Sequence, residues 1–493
     1  MTADTDTAAE SPASEIRRLM KTSDLRKACA AAEDFAGKDA DAAYLLGLFR
    51  YTGKGTQTDR KAAVEEFGIA AGMGSAEAAI VAEEISRNPE DVQEKLVDLR
   101  FRAECGDLGA CREIFPLYDT GKNADGTKGP ARKNHAEAVR LYMPCADAGD
   151  ADAQNTIGYM YLMGKGIPKN RELAVKLLTE AWKNGSSQAA YRLAYMYDSG
   201  QDFNDPDLDR AYDWYTRAAD MGNPDAEFAL AGIMFMQDGP YSDQARGNQL
   251  LLKAADSGQH EAEEQAGMMY AYGGGGLKRD PAKAVKYLEA ACEGGVQQAM
   301  TSYANMCFEG QAVPRDLAKA AKWFRAAADN CDGMAQYALG CMYGNGYYFE
   351  QDDAKAAEWF REAAEGGEPN AQYALGCFCY EGRGVAKDTK KAAAWFQEAA
   401  EQGHPGAMSF LGMFKITGKD TEQDIPEGLR LLKEAAGSGY PEAQFYLGKL
   451  YAEGEYVKQD LVLAKKMLTA AAEQGDPDAS VMLRQLKKMK KRS

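Results

Sequence analysis

The chain repeats itself every 36 or 37 residues, and this periodicity constrains its fold more than any other feature. Residues 335–340 and 371–376 both read Ala-Gln-Tyr-Ala-Leu-Gly, and each hexapeptide is followed at the same distance by a Trp-Phe pair. The last position of the hexapeptide, here the reference position, recurs as Gly158, Ala194, Ala231, Gly267, Ala304, Gly340, Gly376, Gly412 and Gly448. Such regular self-similarity predicts a solenoid in which each unit packs against its neighbours.

Each unit predicts two helices, here called helix A and helix B. Helix A often begins with Pro, as at Pro224 and Pro369, because the first helical position needs no backbone N–H. We expect it to end six residues after the reference position, at a left-handed glycine. These glycines are Gly164, Gly200, Gly273, Gly310, Gly346, Gly382, Gly418 and Gly454. Helix B opens on an Asp that suits an N-cap, as at Asp316 and Asp388.

The apolar residues of helix A lie on one face. In the unit that starts at Ala371, the residues at offsets 0, 3, 4 and 7 from the leading Ala are Ala371, Ala374, Leu375 and Phe378, which is helical spacing. A single helix pair cannot bury both its faces, so neighbouring pairs must stack. The sequence therefore predicts an all-α solenoid of about twelve 36-residue helix-turn-helix repeats, and most of the 50 glycines mark the ends of its helices.

The repeat pattern weakens toward the N-terminus, which suggests four segments. We expect residues 1–20 to be disordered and residues 21–106 to form degenerate repeats with an N-terminal cap. Residues 107–475 are expected to form the main solenoid, with an inserted loop over residues 121–132. Residues 476–493 are expected to form a capping helix and a basic tail.

Residues that commonly carry catalysis or bind metals are sparse in this chain. Its three histidines, His135, His260 and His404, lie far apart, and two of them directly precede a predicted helix. Cys377 and Cys379 have no second Cys or His pair at zinc-ligand spacing. The sequence also lacks a phosphate-binding loop and a nucleophile motif. We therefore expect no catalytic, cofactor or metal site.

Charge and targeting signals limit the partners and the compartment. The chain carries 75 Asp and Glu against 58 Lys and Arg, a net charge of −17, which argues against nucleic-acid binding through bulk charge. No secretory signal and no transmembrane segment are visible in the sequence. The ten cysteines follow no single spacing, which favours free thiols in a cytoplasmic protein.

The unit closely resembles the Sel1-like repeat, a relative of the tetratricopeptide repeat. The residues that carry the resemblance include Gly158-Tyr-Met-Tyr161 in helix A, the turn Gly382-Arg-Gly-Val385, and Asp388 with Lys391, Ala392, Trp395 and Phe396 in helix B. The resemblance covers about residues 41–475. It implies a right-handed superhelix that acts as a non-enzymatic scaffold or adaptor and binds other proteins on its concave face.

Two other functions remain open at this stage. A cysteine-rich branch of the family is linked to β-lactam binding or hydrolysis, but the pairs Cys105/Cys111 and Cys292/Cys307 do not reproduce one spacing. The basic C-terminal tail, which begins near Arg484, suggests instead a factor recruited to the cell envelope.

The resemblance implies that helix A lines the concave side of the superhelix. Since offsets 0, 3, 4 and 7 face the core, a second face of helix A, at offsets 2, 6 and 9 from the leading Ala, is the candidate groove. Six of ten units place Tyr or Phe at offset 2, and aromatic side chains are typical anchors of protein interfaces. The same aromatics could instead pack against the next helix A as core. The candidate groove residues are Tyr159, Tyr191, Tyr195, Phe228, Phe235, Glu264, Asn305, Phe308, Tyr337, Tyr373, Tyr380, Phe445 and Lys449.

The expected partners are other proteins or peptides of unknown identity. Positions that vary between repeats, such as Glu264, Asn305 and Lys449, are candidates for specificity. The acidic surface would suit basic segments, although a charged face is usually only a solvated one. Self-association through terminal repeats remains open.

Overall fold

The chain folds almost entirely into α-helices. The computed structural model describes residues 11–22, 24–123, 125–200 and 206–489 and divides into two compact units, residues 1–250 and 251–493. The described residues contain no β-strand, only an isolated bridge between Lys122 and Lys128. The predicted all-α solenoid is confirmed.

Twelve consecutive helix pairs, α3/α4 to α25/α26, follow the predicted repeats in the described residues. The first unit contains α1 (Pro12–Lys21), α2 (Leu25–Phe35), α3 (Ala40–Thr52), α4 (Arg60–Gly72), α5 (Ala76–Arg87), α6 (Glu90–Glu104), α7 (Leu108–Asp119), α8 (His135–Asp147), α9 (Ala151–Met163), α10 (Arg171–Lys183), α11 (Ser187–Ser199), α12 (Leu208–Asp220) and α13 (Pro224–Phe235). Helix α14 (Gln244–Asp256) contains Leu250 and Leu251, the last residue of the first unit and the first residue of the second. The second unit contains α15 (His260–Tyr272), α16 (Pro281–Glu293), α17 (Gln297–Glu309), α18 (Leu317–Asp329), α19 (Gly333–Asn345), α20 (Asp353–Glu365), α21 (Pro369–Glu381), α22 (Thr389–Glu401), α23 (Pro405–Thr417), α24 (Ile425–Gly437), α25 (Pro441–Glu453), α26 (Leu461–Glu473) and α27 (Pro477–Met489).

Glycine ends helix A wherever the sequence places one six residues after the reference position. All eight glycines expected there occupy the C-cap position in the left-handed conformation, for example Gly164 at φ 66° and Gly382 at φ 82°. A side chain at such a position would strain the backbone, which explains why glycine recurs there.

The glycine at the reference position has a different role, because it lets helix A approach helix B closely. A Cβ atom built on Gly376 would lie 2.6 Å from the ring of Phe396, and one built on Gly340 would lie 2.5 Å from the ring of Phe360. Both Phe side chains are buried in the core of the second unit. The repeat therefore combines a missing side chain on helix A with a large ring on helix B.

A buried glutamine links successive repeats through hydrogen bonds. Gln372 donates from Nε2 to the carbonyl oxygen of Ala364, 3.3 Å away, at the end of the preceding helix B. Its Oε1 accepts a 2.9 Å hydrogen bond from Nε2 of Gln402, which follows the next helix B. Gln444 makes the same two contacts with Ala436 and Gln474. These bonds satisfy polar groups that the stacking of repeats would otherwise bury without a hydrogen-bond partner.

The prediction of disorder for residues 1–20 is wrong for residues 12–20, which belong to α1. Ser11 caps this helix by accepting a hydrogen bond from the backbone N–H of Ser14, and Pro12 stands at its first position. Ile16 and Met20 are buried in the core of the N-terminal repeats. Residues 1–10 lie outside the described residues.

The N-terminal helices enclose a network of buried charges, here called the N-terminal charge network and formed by Tyr44, Glu84, Arg100, Glu104, Tyr118, Glu137 and Arg140. Arg100 is fully buried. It donates to Glu137 Oε1 at 2.6 Å and to the Tyr118 hydroxyl at 2.6 and 3.0 Å. The Tyr118 hydroxyl in turn donates to Glu84 at 2.6 Å. These contacts join α5, α6, α7 and α8.

Burial and ion pairing act against each other within this network. Burial raises the pKa of Glu84 despite its proximity to Arg100. Burial would also raise the pKa of Glu104, but Arg140 and Arg17 instead lower that pKa to about 2. Arg140 Nη1 lies 2.8 Å from Glu104, and Arg17 Nε lies 2.9 Å from it. Ion pairing thus outweighs burial in its effect on the pKa of Glu104 and of Glu137, whereas burial outweighs it at Glu84.

Candidate functional site

An open cleft lies between α9 and α11, the helices A of two successive repeats in the first unit. It has a volume of about 390 Å³, within the usual range of ligand pockets. Tyr159, Tyr191 and Tyr195, three of the predicted groove residues, line it together. The other lining residues are Leu162, Met163, Gln188, Arg192 and Met196.

The walls of this cleft are aromatic and partly open to solvent. The exposed fractions of Tyr159 and Tyr195 are 37% and 52%, whereas Tyr191 is half-buried and lies 5.9 Å, between ring centroids, from Tyr215. Exposed aromatic side chains beside a concave surface are characteristic of protein interfaces. The α9/α11 cleft therefore brings three of the predicted residues together in one candidate site.

Arg192 is the one charged residue that lines the α9/α11 cleft. Its guanidinium lies over the ring of Tyr159, 4.4 Å from the ring centroid. Its Nη1 donates to the backbone oxygen of Asn155 at 3.0 Å and to the side-chain Oδ1 of Asn155 at 3.1 Å. Burial lowers the pKa of Arg192. The side chain is thus fixed in place and partly removed from water.

Arg192 was not among the residues predicted from sequence, although the repeat contains a signal for it. It stands at offset 3, a position assigned to the core face. The residues at that offset in ten units are Leu45, Thr156, Arg192, Ala229, Gln265, Ser302, Ala338, Ala374, Phe410 and Tyr446. Arg192 is the single charged residue in this set. A charge at a core offset of one repeat is the kind of local exception that marks a functional position.

In the second unit, the predicted aromatics pack against their neighbours. The ring of Tyr373 stacks on His404 at 4.5 Å between centroids, and its hydroxyl lies 3.5 Å from that of Tyr440. Tyr337 packs 5.7 Å from Phe360, and burial raises the pKa of Tyr337 and of Tyr373. These two residues therefore contribute to packing between helices.

The other predicted residues are half-buried and dispersed along the helices. Tyr380 packs near Phe410 and Phe414, and Phe308 makes an edge contact with Tyr347. A Cβ atom on Gly247 would lie 2.6 Å from the ring of Phe235. Burial and the nearby Glu261 raise the pKa of Glu264. The ring centroids of Phe445 and Tyr446 lie 5.6 Å apart. Lys449 forms an ion pair with Glu453 at 4.0 Å. A binding role for Phe228 and Asn305 stays a prediction.

The three histidines make separate local contacts. His135 lies 3.0 Å from Asp119, and His260 lies 2.8 Å from Glu263. His404 caps α23 by accepting a hydrogen bond from Ala407. Within the described part of the chain, no group of three His, Cys, Asp or Glu side chains is placed to hold a metal ion. All ten cysteines carry free thiols.

No helix among the described residues is long and apolar enough to span a membrane. The predicted basic tail falls partly outside the description, because residues 490–493 are not described. Its role therefore stays a prediction.

The sequence model of the Sel1 repeat matches ten segments that together make up most of the chain. The matched residues are 40–74, 151–186, 187–223, 224–259, 260–296, 297–330, 333–368, 369–404, 405–440 and 441–476. The helix pairs α5/α6 and α7/α8 fall outside these matches. Both repeats that form the α9/α11 cleft lie within them.

Known proteins share the fold and parts of the sequence. A protective antigen of uropathogenic Escherichia coli, whose crystal structure displays an SLR fold, superposes with a TM-score of 0.64 over 95% of this chain and 90% of its own, at 24% identity. An uncharacterized protein of Neisseria meningitidis serogroup B is 28% identical over 175 residues, 36% of this chain and 34% of that protein. DAP3-binding cell death enhancer 1 of Mus musculus is 30% identical over 171 residues, 34% of this chain and 33% of that protein. The chain thus spans about a third of the length of these two relatives.

Proposed function

Because this chain belongs to the Sel1 repeat family, we propose that it is a non-enzymatic scaffold that binds a segment of a partner protein in the α9/α11 cleft. The observation that carries the proposal is the convergence of three predicted aromatic residues, Tyr159, Tyr191 and Tyr195, on one open cavity. The proposed setting is the cytoplasm, as expected from the cysteine usage.

The composition of the cleft suits a polypeptide segment. Tyrosine and methionine side chains offer large apolar contact areas, and Gln188 adds a polar group on the rim. A volume of about 390 Å³ accommodates a few side chains rather than a whole folded domain. The mouse relative is named for a protein that it binds, DAP3, which is consistent with a binding role for this chain.

The proposal is tested by affinity capture with the full chain and a variant that combines Tyr159→Ala with Tyr195→Ala. Truncating an interface anchor typically costs about 2 kcal/mol or more, which corresponds to roughly a 30-fold loss of affinity. We expect at least one captured protein to be lost with the double variant. Tyr272→Ala is the matched control, because Tyr272 is also exposed (64%) but does not line the cleft.

The result that contradicts the proposal is equal recovery of every captured protein by the wild type and the double variant. Circular dichroism of both variants provides the necessary check on folding. Because Tyr159 and Tyr195 are substantially exposed, we expect the helical signal to be unchanged.

A further inference from the structure

The positive charge of Arg192 in the α9/α11 cleft is not balanced by a carboxylate of the described residues. The guanidinium of Arg192 hydrogen-bonds to Asn155 and lies over the ring of Tyr159. The chain as a whole carries an excess of 17 acidic groups, so acidic side chains are abundant elsewhere. A partly buried guanidinium without a counter-charge is unusual, because charged groups removed from water are normally paired.

The guanidinium also has unused hydrogen-bonding capacity. Arginine offers five N–H donors in a planar fork, and both hydrogen bonds to Asn155 come from Nη1. The Nε and Nη2 groups make no hydrogen bond with the described residues. A carboxylate is the group whose geometry best matches such a fork, because its two oxygens can accept parallel hydrogen bonds.

We propose that the segment bound in the α9/α11 cleft carries an Asp or Glu side chain that pairs with Arg192, next to a large apolar side chain that contacts Tyr159 and Tyr195. This inference rests on the proposed function and adds the chemistry of the partner. It also differs from the expectation, based on net charge, that the partner segment is basic. The net charge acts at long range and is screened by salt, whereas the specificity of the cleft depends on its own single charge.

The number of charges favours a carboxylate over a phosphate group. A phosphorylated side chain carries a charge of about −1.5 to −2 and is usually bound by clustered arginines. The cleft contains one cation, and its remaining walls are apolar or neutral. One guanidinium balances one carboxylate.

The experiment is a selection of random dodecapeptides displayed on phage against the full chain. We expect the enriched peptides to contain Asp or Glu beside an aromatic or aliphatic residue. The affinity of a representative synthetic peptide is then measured by fluorescence anisotropy with the wild type and with Arg192→Gln. We expect Arg192→Gln to weaken binding at least about 10-fold.

A double-mutant cycle separates a direct ion pair from a structural effect of the substitution. Replacing the acidic residue of the peptide by its amide should weaken binding to the wild type at least about 10-fold but change binding to Arg192→Gln by less than about 2-fold. A peptide with Lys at that position should bind Arg192→Glu better than it binds the wild type. Thermal unfolding of both variants identifies any loss of structure, and the cycle with Arg192→Gln remains decisive if Arg192→Glu does not fold.

The outcomes separate the two proposals. If enriched peptides lack acidic residues yet lose binding when Tyr159 and Tyr195 are replaced by Ala, the cleft binds peptides and the role of Arg192 is wrong. The same conclusion follows if the amide peptide loses equal affinity for the wild type and for Arg192→Gln. If no enriched peptide depends on the two tyrosines, the proposed function is wrong, and this inference is wrong with it.

Discussion

Replacing Arg100 by Met should strongly destabilise the first unit, because Arg100 is the fully buried centre of the N-terminal charge network. Met has a similar length and retains much of the packing. In the variant, Glu137 keeps its hydrogen bonds with Arg140, at 2.8 and 3.0 Å. Glu84 loses its cation and keeps only the hydrogen bond from Tyr118. Removing one partner of a buried ion pair typically costs about 3–5 kcal/mol.

Thermal unfolding followed by circular dichroism measures this loss. For a unit of 150–250 residues, each kcal/mol shifts the Tm by about 2–4 °C, so Arg100→Met should lower the transition of the first unit by roughly 6–20 °C. Arg210→Met is the control, because Arg210 forms an exposed pair with Asp207 at 3.3 Å. An exposed pair contributes at most about 1 kcal/mol.

The destabilisation should also depend on pH. Arg100 is always charged, and it lowers the pKa of both Glu84 and Glu137 relative to what burial alone would impose. Because Arg100 favours the ionised form of both carboxylates, its removal costs more stability at a pH where they are ionised than at a pH where they are protonated. The contribution of Arg100 is therefore largest at pH 7–8 and smaller near pH 4, where protonation of Glu84 relieves the uncompensated charge.

A second substitution tests the same reasoning. Glu84→Gln in the Arg100→Met background removes the unpaired charge and should restore part of the lost stability. The reasoning is refuted if the double variant is less stable than Arg100→Met alone. It is also refuted if Arg100→Met lowers the Tm by less than about 3 °C, the shift expected for about 1 kcal/mol.

Three further predictions follow from other parts of the structure. Glu104→Gln should destabilise the chain at pH 7, and this effect should disappear as the pH falls from about 4.5 toward 2, because the folded pKa of Glu104 is lowered to about 2. Urea unfolding at several pH values measures the free energy of unfolding, and a loss of stability that does not depend on pH would contradict the prediction. Gly376→Ala should lower the free energy of unfolding by about 1–3 kcal/mol, because the added Cβ overpacks against the ring of Phe396. Gly232→Ala, with nothing within 4 Å of the added Cβ, should leave it unchanged or raise it by up to about 1 kcal/mol. Equal effects of the two substitutions on the Tm would exclude overpacking as the explanation. Cys331 is the one exposed cysteine, and the other nine are buried or half-buried. Native protein should therefore show one rapidly reacting thiol with Ellman's reagent and ten thiols after denaturation; several rapidly reacting thiols in the native protein would contradict this.

The repeat architecture could be predicted from the sequence because its glycines meet strict local requirements. The C-cap glycines, such as Gly382, need a left-handed backbone, and the reference glycines, such as Gly376, need space for a ring on helix B. Requirements of this kind recur in most repeats and therefore leave a periodic signal. The fold could be derived from that signal without any knowledge of the contacts.

The N-terminal charge network could not be predicted in this way. Its members are separated by long and irregular distances along the chain, as with Tyr44 and Glu104, which lie 60 positions apart. Helix α1 could not be predicted either, because it is short and buries only Ala13, Ile16 and Met20, too few residues to reveal a periodic pattern. Such features depend on which helices meet in space, and periodicity carries no information about them.

The offset-2 residues Asn155 and Tyr373 have different neighbours 37 positions later, at offset 3 of the next repeat. Asn155 is followed by Arg192, which hydrogen-bonds to it at 3.1 Å; Tyr373 is followed by Phe410, whose ring centroid lies 6.2 Å away. Two large rings, together with His404, fill the space beside Tyr373. A short amide and an extended guanidinium instead leave a cavity beside Tyr159 and Tyr195. The same position of the repeat therefore has different surroundings in these two pairs of repeats, and the repeat pattern alone could not separate an open cavity from a packed core.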